Sequence, residues 1–144
     1  MTLDFGDYLW NDAYARCAAL NDGLGDASSI ERLKSTYLAT ASEFLDVHRQ
    51  IAKLVFGRPI SHVLVLHLGA FTGTILPDML DLLGRKGFTL VTLEEAERDP
   101  AYQTDPDAAS KSGGTLLEQW LDARGLARPP LPIRPDRELA DACR

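Results

Sequence analysis

The chain has 144 residues, of which 45% are hydrophobic and 25% are charged, a balance typical of one globular domain and not of a disordered segment. Its formal net charge of -6 excludes nucleic acid as the main partner, because phosphate binding needs clustered Lys and Arg. The start has no signal peptide and no apolar run approaches a membrane span, so the sequence predicts no membrane partner and a cytoplasmic protein, unless the chain is a piece of an exported one.

The cysteine content distinguishes a disulfide-rich scaffold from a protein with free thiols. The chain has only two cysteines, Cys17 and Cys143, so a disulfide scaffold is excluded, although one disulfide is conceivable. Free, reduced thiols are the prediction that agrees with a cytoplasmic protein.

The apolar pattern and the Gly and Pro breakers predict elements in the order β-α-α-β-α-β-α. Strands are expected at residues 2–5, 62–68 and 88–92. Helices are expected from about residue 7 or 11 to 20, from 28 to 56, from 74 to 87, just after 92, and from 115 to 123. Three of the helix starts carry capping-box spacing, S/T-x-x-E. These pairs are Ser28 with Glu31, Thr92 with Glu95, and Thr115 with Glu118.

Alternation of strands and helices favours an α/β fold with a parallel sheet and right-handed crossovers. Three strands are few for a complete architecture, so residues 1–125 are interpreted as a partial (β/α) barrel with about three parallel strands and flanking helices. Residues 126–144 are Pro-rich and are interpreted as a solvated C-terminal tail, with at most one last helical turn.

Candidate functional residues lie where two of the predicted strands end. Asp4 and Asp7 bracket the end of the first strand, and His67 ends the second, so a shared parallel sheet would place them on one rim. A carboxylate that orients an imidazole is an arrangement suited to a general acid. Tyr8 and Trp10 are the candidate walls of a substrate pocket. The alternative is structural: the two aspartates cap the following helix, and the histidine is a hydrogen-bonded residue at a strand end.

Two short motifs in this order resemble the C-terminal half of the polysaccharide deacetylase family, the NodB-like carbohydrate esterases. "LDFGDY" (3–8) is similar to the family's fourth motif, D-x-x-D-W, and "VLVLHLGAF" (63–71) is similar to its fifth, L-x-L-H. The resemblance covers roughly residues 2–125. It implies an irregular (β/α) barrel that removes acetyl groups from N-acetylated sugars with a bound divalent metal, usually zinc.

Carried over residue by residue, the resemblance implies that His67 is the acid for the leaving amine. It implies that Asp4 or Asp7 tunes that histidine and that Tyr8, where the family has Trp, shapes the acetyl pocket. The chain departs from the family because the family's first three motifs are absent ahead of "LDFGDY". There is no T-F-D-D segment to supply the base and an aspartate metal ligand, no H-x-x-x-H segment to supply two histidine ligands, and no R-x-P-type loop before residue 3. We therefore expect a deacetylase-like domain that is inactive alone, and whether to class it as an enzyme stays open. The alternative is a non-catalytic remnant that dimerises or binds carbohydrate.

The remaining histidines do not suggest a metal site. His48 falls on the apolar stripe of the long helix and is expected to be a satisfied core residue. His62 and His67 point to opposite faces of a regular strand, so they cannot share a metal. We predict no metal and no cofactor in this chain itself. Because two predicted strands are apolar on both faces and a short sheet leaves open edges, we also predict a homodimer or higher oligomer.

Overall fold

The computed structural model describes residues 1–20, 25–108 and 114–144. It is an all-helical fold, 58% helix with 1% strand, and these residues contain no sheet. The predicted α/β fold and its partial TIM-like barrel are therefore wrong, and a helical fold offers no evidence for a hydrolase.

The described residues form six α-helices and one 3₁₀ helix. The α-helices are α1 Tyr8–Ala18, α2 Ala27–Phe56, α3 Ala70–Arg85, α4 Leu93–Ala96, α5 Leu116–Ala123 and α6 Asp136–Asp141. The 3₁₀ helix is Pro100–Tyr102. The sequence also predicts loops at residues 21–26 and 98–114, from their turn-forming and polar residues, and parts of both loops lie outside the described residues.

The three predicted strands have almost no pairing. A single parallel bridge joins Leu3 to Leu64, and the segment 88–92 has no strand assignment. A β-strand is stable only when a neighbouring strand takes its backbone hydrogen bonds, and an apolar run by itself does not supply that neighbour. Side chains replace strand pairing at two donors, since the N–H of Val63 donates to Thr2 Oγ1 and the N–H of His67 donates to Asp7.

Two of the three predicted capping boxes are present. Thr92 with Glu95 opens α4, and Thr115 with Glu118 opens α5, each with both reciprocal hydrogen bonds. The long helix starts differently, as the Asp26 carboxylate accepts the N–H and the hydroxyl of Ser28 and the hydroxyl of Ser29. Glu31, predicted to cap, instead accepts a hydrogen bond from Lys34 at 2.9 Å.

The chain divides into two compact units, and α2 contributes to both. The first unit comprises residues 1–4, 43–65 and 90–132. Its core joins the C-terminal half of α2 to α5 through Ile51, Ala52, Val55, Ile60, Ala101, Leu117 and Leu121. An ion pair organises the loops of this unit: Asp99 Oδ1 lies 2.5 Å from Arg58, which holds the pKa of that carboxyl well below its usual range. Asp99 also accepts the backbone N–H groups of Ser61 and Ala101.

The second unit comprises residues 5–42, 66–89 and 133–144. Aromatic rings form its centre: Tyr37 of α2 packs edge-to-face on Phe5, Trp10 and Phe71, with ring centroids 5.2–5.5 Å apart. Such pairs add specific geometry to the burial of large apolar surface. The core brings together α1, α3 and the N-terminal half of α2.

The C-terminal segment, residues 133–144, belongs to the second unit, where α6 packs on α1. Cys17 and Cys143 form a disulfide, so the prediction of free thiols is wrong. Leu139 of α6 is buried, and Arg16 of α1 donates to the carbonyl of Leu139 at 2.5 Å and to that of Ala142 at 3.1 Å. The sequence could not show this arrangement because the partners are more than 120 residues apart.

Candidate functional site

The side chain of Asp7 belongs to a site and not to a helix cap. Asp7 directly precedes α1, at the position where a capping residue stands, yet its side chain makes no capping hydrogen bond. Its buried carboxylate instead accepts the backbone N–H of His67 at 3.0 Å, and its Oδ1 lies 2.6 Å from Nδ1 of the His67 ring. The capping alternative is therefore wrong for Asp7. The sequence predicts that Asp4 or Asp7 lies within hydrogen-bonding reach of His67, and Asp7 does so.

The contact defines the orientation of the imidazole. A carboxylate only accepts, so Nδ1 of His67 carries the proton in this hydrogen bond, and Nε2 is the ring nitrogen turned away from Asp7. The His67 side chain is 42% exposed while that of Asp7 is 1% exposed. A buried carboxyl group thus holds an imidazole that a ligand can reach, with Nε2 free to face that ligand.

The two aromatic residues predicted to line a pocket have different environments. Tyr8 is 48% exposed, and its ring lies edge-to-face against the His67 ring, with centroids 5.2 Å apart. Trp10 is completely buried, and its Nε1 donates to Thr36 Oγ1 at 3.2 Å. Tyr8 is therefore available to a ligand, whereas Trp10 supports the core beneath the site.

A polar network that the sequence analysis missed holds the loop after His67. Asn11 of α1 accepts the N–H of Phe71 at 3.2 Å and donates to Thr72 Oγ1 at 3.3 Å. Thr72 in turn donates to the carbonyl of His67 at 2.7 Å. Gly69 lies under the Asn11 amide, so close that a Cβ there would come within 3.0 Å of it.

This network explains why α3 begins at residue 70 and not at 74. Asn11 satisfies an N–H of the first turn that otherwise has no partner, so the helix starts earlier than its apolar pattern indicates. The available signal in the sequence was an asparagine inside a helix, one turn after Asp7, where Asn is a weak helix former.

Asp4 and the other two histidines belong to the first unit. Asp4 is half-buried, and its predicted part in the site stays a prediction. His48 is buried and its Nδ1 lies 2.8 Å from the Phe44 carbonyl, so the expectation of a satisfied core histidine is confirmed. Burial, with smaller contributions from His48 and Arg49, lowers the pKa of His62 to about 4. The prediction that the chain holds no metal of its own also stays a prediction.

No helix of the described residues is long and apolar enough to cross a membrane. Comparisons of the chain with protein-family models, with curated proteins and with solved structures found no match. The similarity of its two motifs to the polysaccharide deacetylases therefore stays a prediction from the sequence.

Proposed function

We propose that the chain is a polysaccharide deacetylase-like domain in which His67 is the proton donor to the leaving amine of an N-acetylated sugar. The observation that carries the proposal is the contact between Asp7 Oδ1 and Nδ1 of His67, at 2.6 Å. The same two residues occupy the tuning and acid positions that the resemblance implies. The proposal depends on this side-chain geometry and not on the fold.

Cleavage of the sugar's amide bond needs one proton at the nitrogen of the leaving amine. When the amide C–N bond of the sugar breaks, the amine nitrogen needs a proton to leave as a neutral group, and Nε2–H of the imidazolium can supply it. The Asp7 carboxylate stabilises the positive charge of that imidazolium and prevents the ring from turning. Tyr8 offers an exposed aromatic face beside the ring, against which the methyl of an acetyl group can pack.

We further propose that this chain alone does not turn over substrate. In the family, the attacking water is activated by a metal and a base, and the motifs that supply them do not occur in this sequence. We expect no acetate release from N-acetylglucosamine oligomers, with or without added zinc, cobalt or manganese. Metal-dependent release that His67→Ala abolishes would contradict the predicted inactivity.

Ligand binding tests the site independently of turnover. In NMR titrations with an N-acetylglucosamine tetramer, we expect the resonances of the Tyr8 ring and of Nε2 of His67 to shift together. Tyr8→Ala should weaken binding roughly tenfold, the loss of one aromatic contact, whereas Tyr8→Phe keeps the ring and should bind like the wild type. Shifts confined to other residues, or no shifts at all, would refute the proposed site.

A second candidate function, self-association, is favoured by one exposed apolar segment. This segment spans residues 90–93 of the first unit and contains Leu90, Val91 and Leu93, which are 65%, 56% and 53% exposed. We infer that a second copy of the chain covers this segment, because burying apolar surface is favourable at roughly 25 cal/mol per Å². The short sheet with apolar faces and open edges, from which the sequence predicted an oligomer, is not present in the described residues.

Light scattering over a dilution series tests self-association. We expect a dimer that Leu90→Lys converts to a monomer, since a charge at this position would be buried in the interface. Leu68→Lys is the control, because Leu68 is fully exposed and lies outside the segment. A wild-type monomer at every concentration would refute the inference.

The disulfide also bears on where the protein functions. Disulfides persist in oxidising compartments and are rare in the reducing cytosol. We therefore propose a non-reducing compartment in place of the cytoplasmic location predicted from the sequence. Alkylation of the protein from its native cells should leave Cys17 and Cys143 unmodified unless a reductant is added first.

A further inference from the structure

Arg134 brings a positive charge from the C-terminal segment to the edge of the candidate site. A Cβ added to Gly6 would lie within 3.0 Å of Nη1 of Arg134, so the guanidinium occupies the space that a side chain at residue 6 would need. Gly6 has a positive φ of +68° and is the residue immediately before Asp7. The absence of a side chain at residue 6 is therefore what lets Arg134 approach.

The guanidinium and the exposed aromatic ring lie on the same side of Gly6. Nη1 of Arg134 and Cε1 of Tyr8 are both within 3.6 Å of the point where a Gly6 Cβ would stand. The other neighbour of the Tyr8 ring is the imidazole of His67, at 5.2 Å between centroids. The Tyr8 ring thus lies between the Arg134 guanidinium and the His67 imidazole, and all three side chains are partly exposed.

The C-terminal segment that carries Arg134 is held against α1 by two contacts. The disulfide ties Cys143 to α1, and Arg16 of α1 donates to the Leu139 carbonyl. Arg134 itself bonds Asp136 through Nη2 at 3.1 Å. Asp136 is more than half exposed, and an exposed ion pair of this kind contributes little, so an incoming anion can compete for the guanidinium.

The geometry points to Arg134 as a ligand-binding residue that gives the site a preference for sugars bearing a carboxylate. The planar guanidinium matches a carboxylate through two parallel hydrogen bonds, and Tyr8 offers the adjoining sugar ring an apolar surface. The inference rests on the proposed function, since it names the substrate class of the same site.

Two tetrasaccharides of equal length test the inference. One is an N-acetylglucosamine tetramer, which is neutral, and in the other N-acetylglucosamine alternates with glucuronic acid. By calorimetry on the full chain at low salt, we expect the acidic oligomer to bind roughly tenfold more tightly than the neutral one, the gain of one charge-assisted contact. Raising the salt should reduce this preference, because the charges are exposed.

Three variants separate the role of Arg134 from a general effect of charge. Arg134→Gln should remove the preference for the acidic oligomer. Arg134→Lys keeps the charge without the fork and should keep part of the preference. Arg137→Gln is the matched control, because Arg137 is an exposed arginine of α6, and it should bind both oligomers like the wild type.

The outcomes distinguish this inference from the proposed function. If the wild type binds the neutral oligomer and shows no preference for the acidic one, the proposed function stands and the role of Arg134 is refuted. A preference that survives in Arg134→Gln, with an unchanged thermal midpoint, refutes it as well. If the wild type binds neither oligomer, both proposals are refuted.

Discussion

Removing the disulfide is the perturbation whose size follows most directly from the structure. Cys17 and Cys143 are 126 residues apart in the sequence, so their bond closes a loop that includes most of the chain. Loop closure of that length removes conformational entropy from the unfolded state worth about 5 kcal/mol at 25 °C. A domain of this size has a total stability of about 5–15 kcal/mol, so the double variant Cys17→Ser/Cys143→Ser should lose a large part of it.

The folded state should change much less than the unfolded one. Leu139 of α6 stays buried without the bond, and Arg16 still donates to carbonyls at the end of that helix. We therefore expect the double variant to keep its helical circular dichroism spectrum in the absence of denaturant. Its free energy of unfolding should fall by about 2–5 kcal/mol, the range measured when native disulfides are removed.

Urea unfolding followed by circular dichroism measures this loss. Oxidised wild type should unfold at a higher urea concentration than wild type in reductant, and the double variant should match the reduced protein and not respond to reductant. Equal midpoints for oxidised and reduced wild type would refute the reasoning. Mass spectrometry that finds two free thiols in the native protein would refute the disulfide itself.

Three further predictions concern the site and its support. Replacing Asp7 by Asn should lower the free energy of unfolding by about 1–3 kcal/mol, because the backbone N–H and Nδ1 of His67 lose a buried carboxylate acceptor. 15N NMR should then show that the ring no longer holds its proton at Nδ1. Gly69→Ala should lower the free energy of unfolding by about 1–3 kcal/mol, because its Cβ would collide with the Asn11 amide held there. Gly73→Ala, inside α3 and with open space around it, should be neutral or stabilising by up to about 1 kcal/mol. The pKa of His62 is about 4 in the folded state and near 6.5 in the unfolded state. The unfolded state therefore binds more protons below pH 6.5, and the free energy of unfolding should fall by about 3 kcal/mol as the pH drops from 6.5 to 4. In urea unfolding at several pH values, His62→Gln should flatten this dependence.

Each of these three has a result that contradicts it. An unchanged His67 tautomer in Asp7→Asn would mean that the carboxylate does not hold the ring. Equal melting temperatures for Gly69→Ala and Gly73→Ala would mean that the close approach at Gly69 has no energetic consequence. A stability that does not vary between pH 6.5 and 4 would mean that His62 is not buried as a neutral group.

The helices that the sequence predicted correctly are those whose ends depend on neighbouring residues. Thr92 with Glu95 and Thr115 with Glu118 satisfy each other's backbone donors within one turn, so spacing alone was sufficient. The end of α2 at Gly57 is equally local, because this glycine takes the positive φ that stops a helix.

The strands were wrong because their stability is not local. The run 62–68 is as apolar as a buried strand, yet only Leu64 of it bridges another residue, Leu3. Strand pairing needs a partner brought from elsewhere in the chain, and apolar character alone does not reveal whether that partner exists. The same physical reason explains the start of α3, where Asn11 from another helix satisfies the first turn.

The candidate site was partly predictable by itself. The order and spacing of the two motifs predicted a site from His67, Tyr8 and either Asp4 or Asp7, without deciding between the two aspartates. The contact between Asp7 and His67 is present, although the sheet rim that was expected to create it is not. Tertiary structure alone decided that Trp10 is covered while Tyr8 is open, because both are aromatic residues of the same helix and differ only in the face they occupy. It alone also decided that Arg134 lies against Gly6, since long-range pairing through the disulfide and α6 is set by packing between distant segments, which no local pattern encodes.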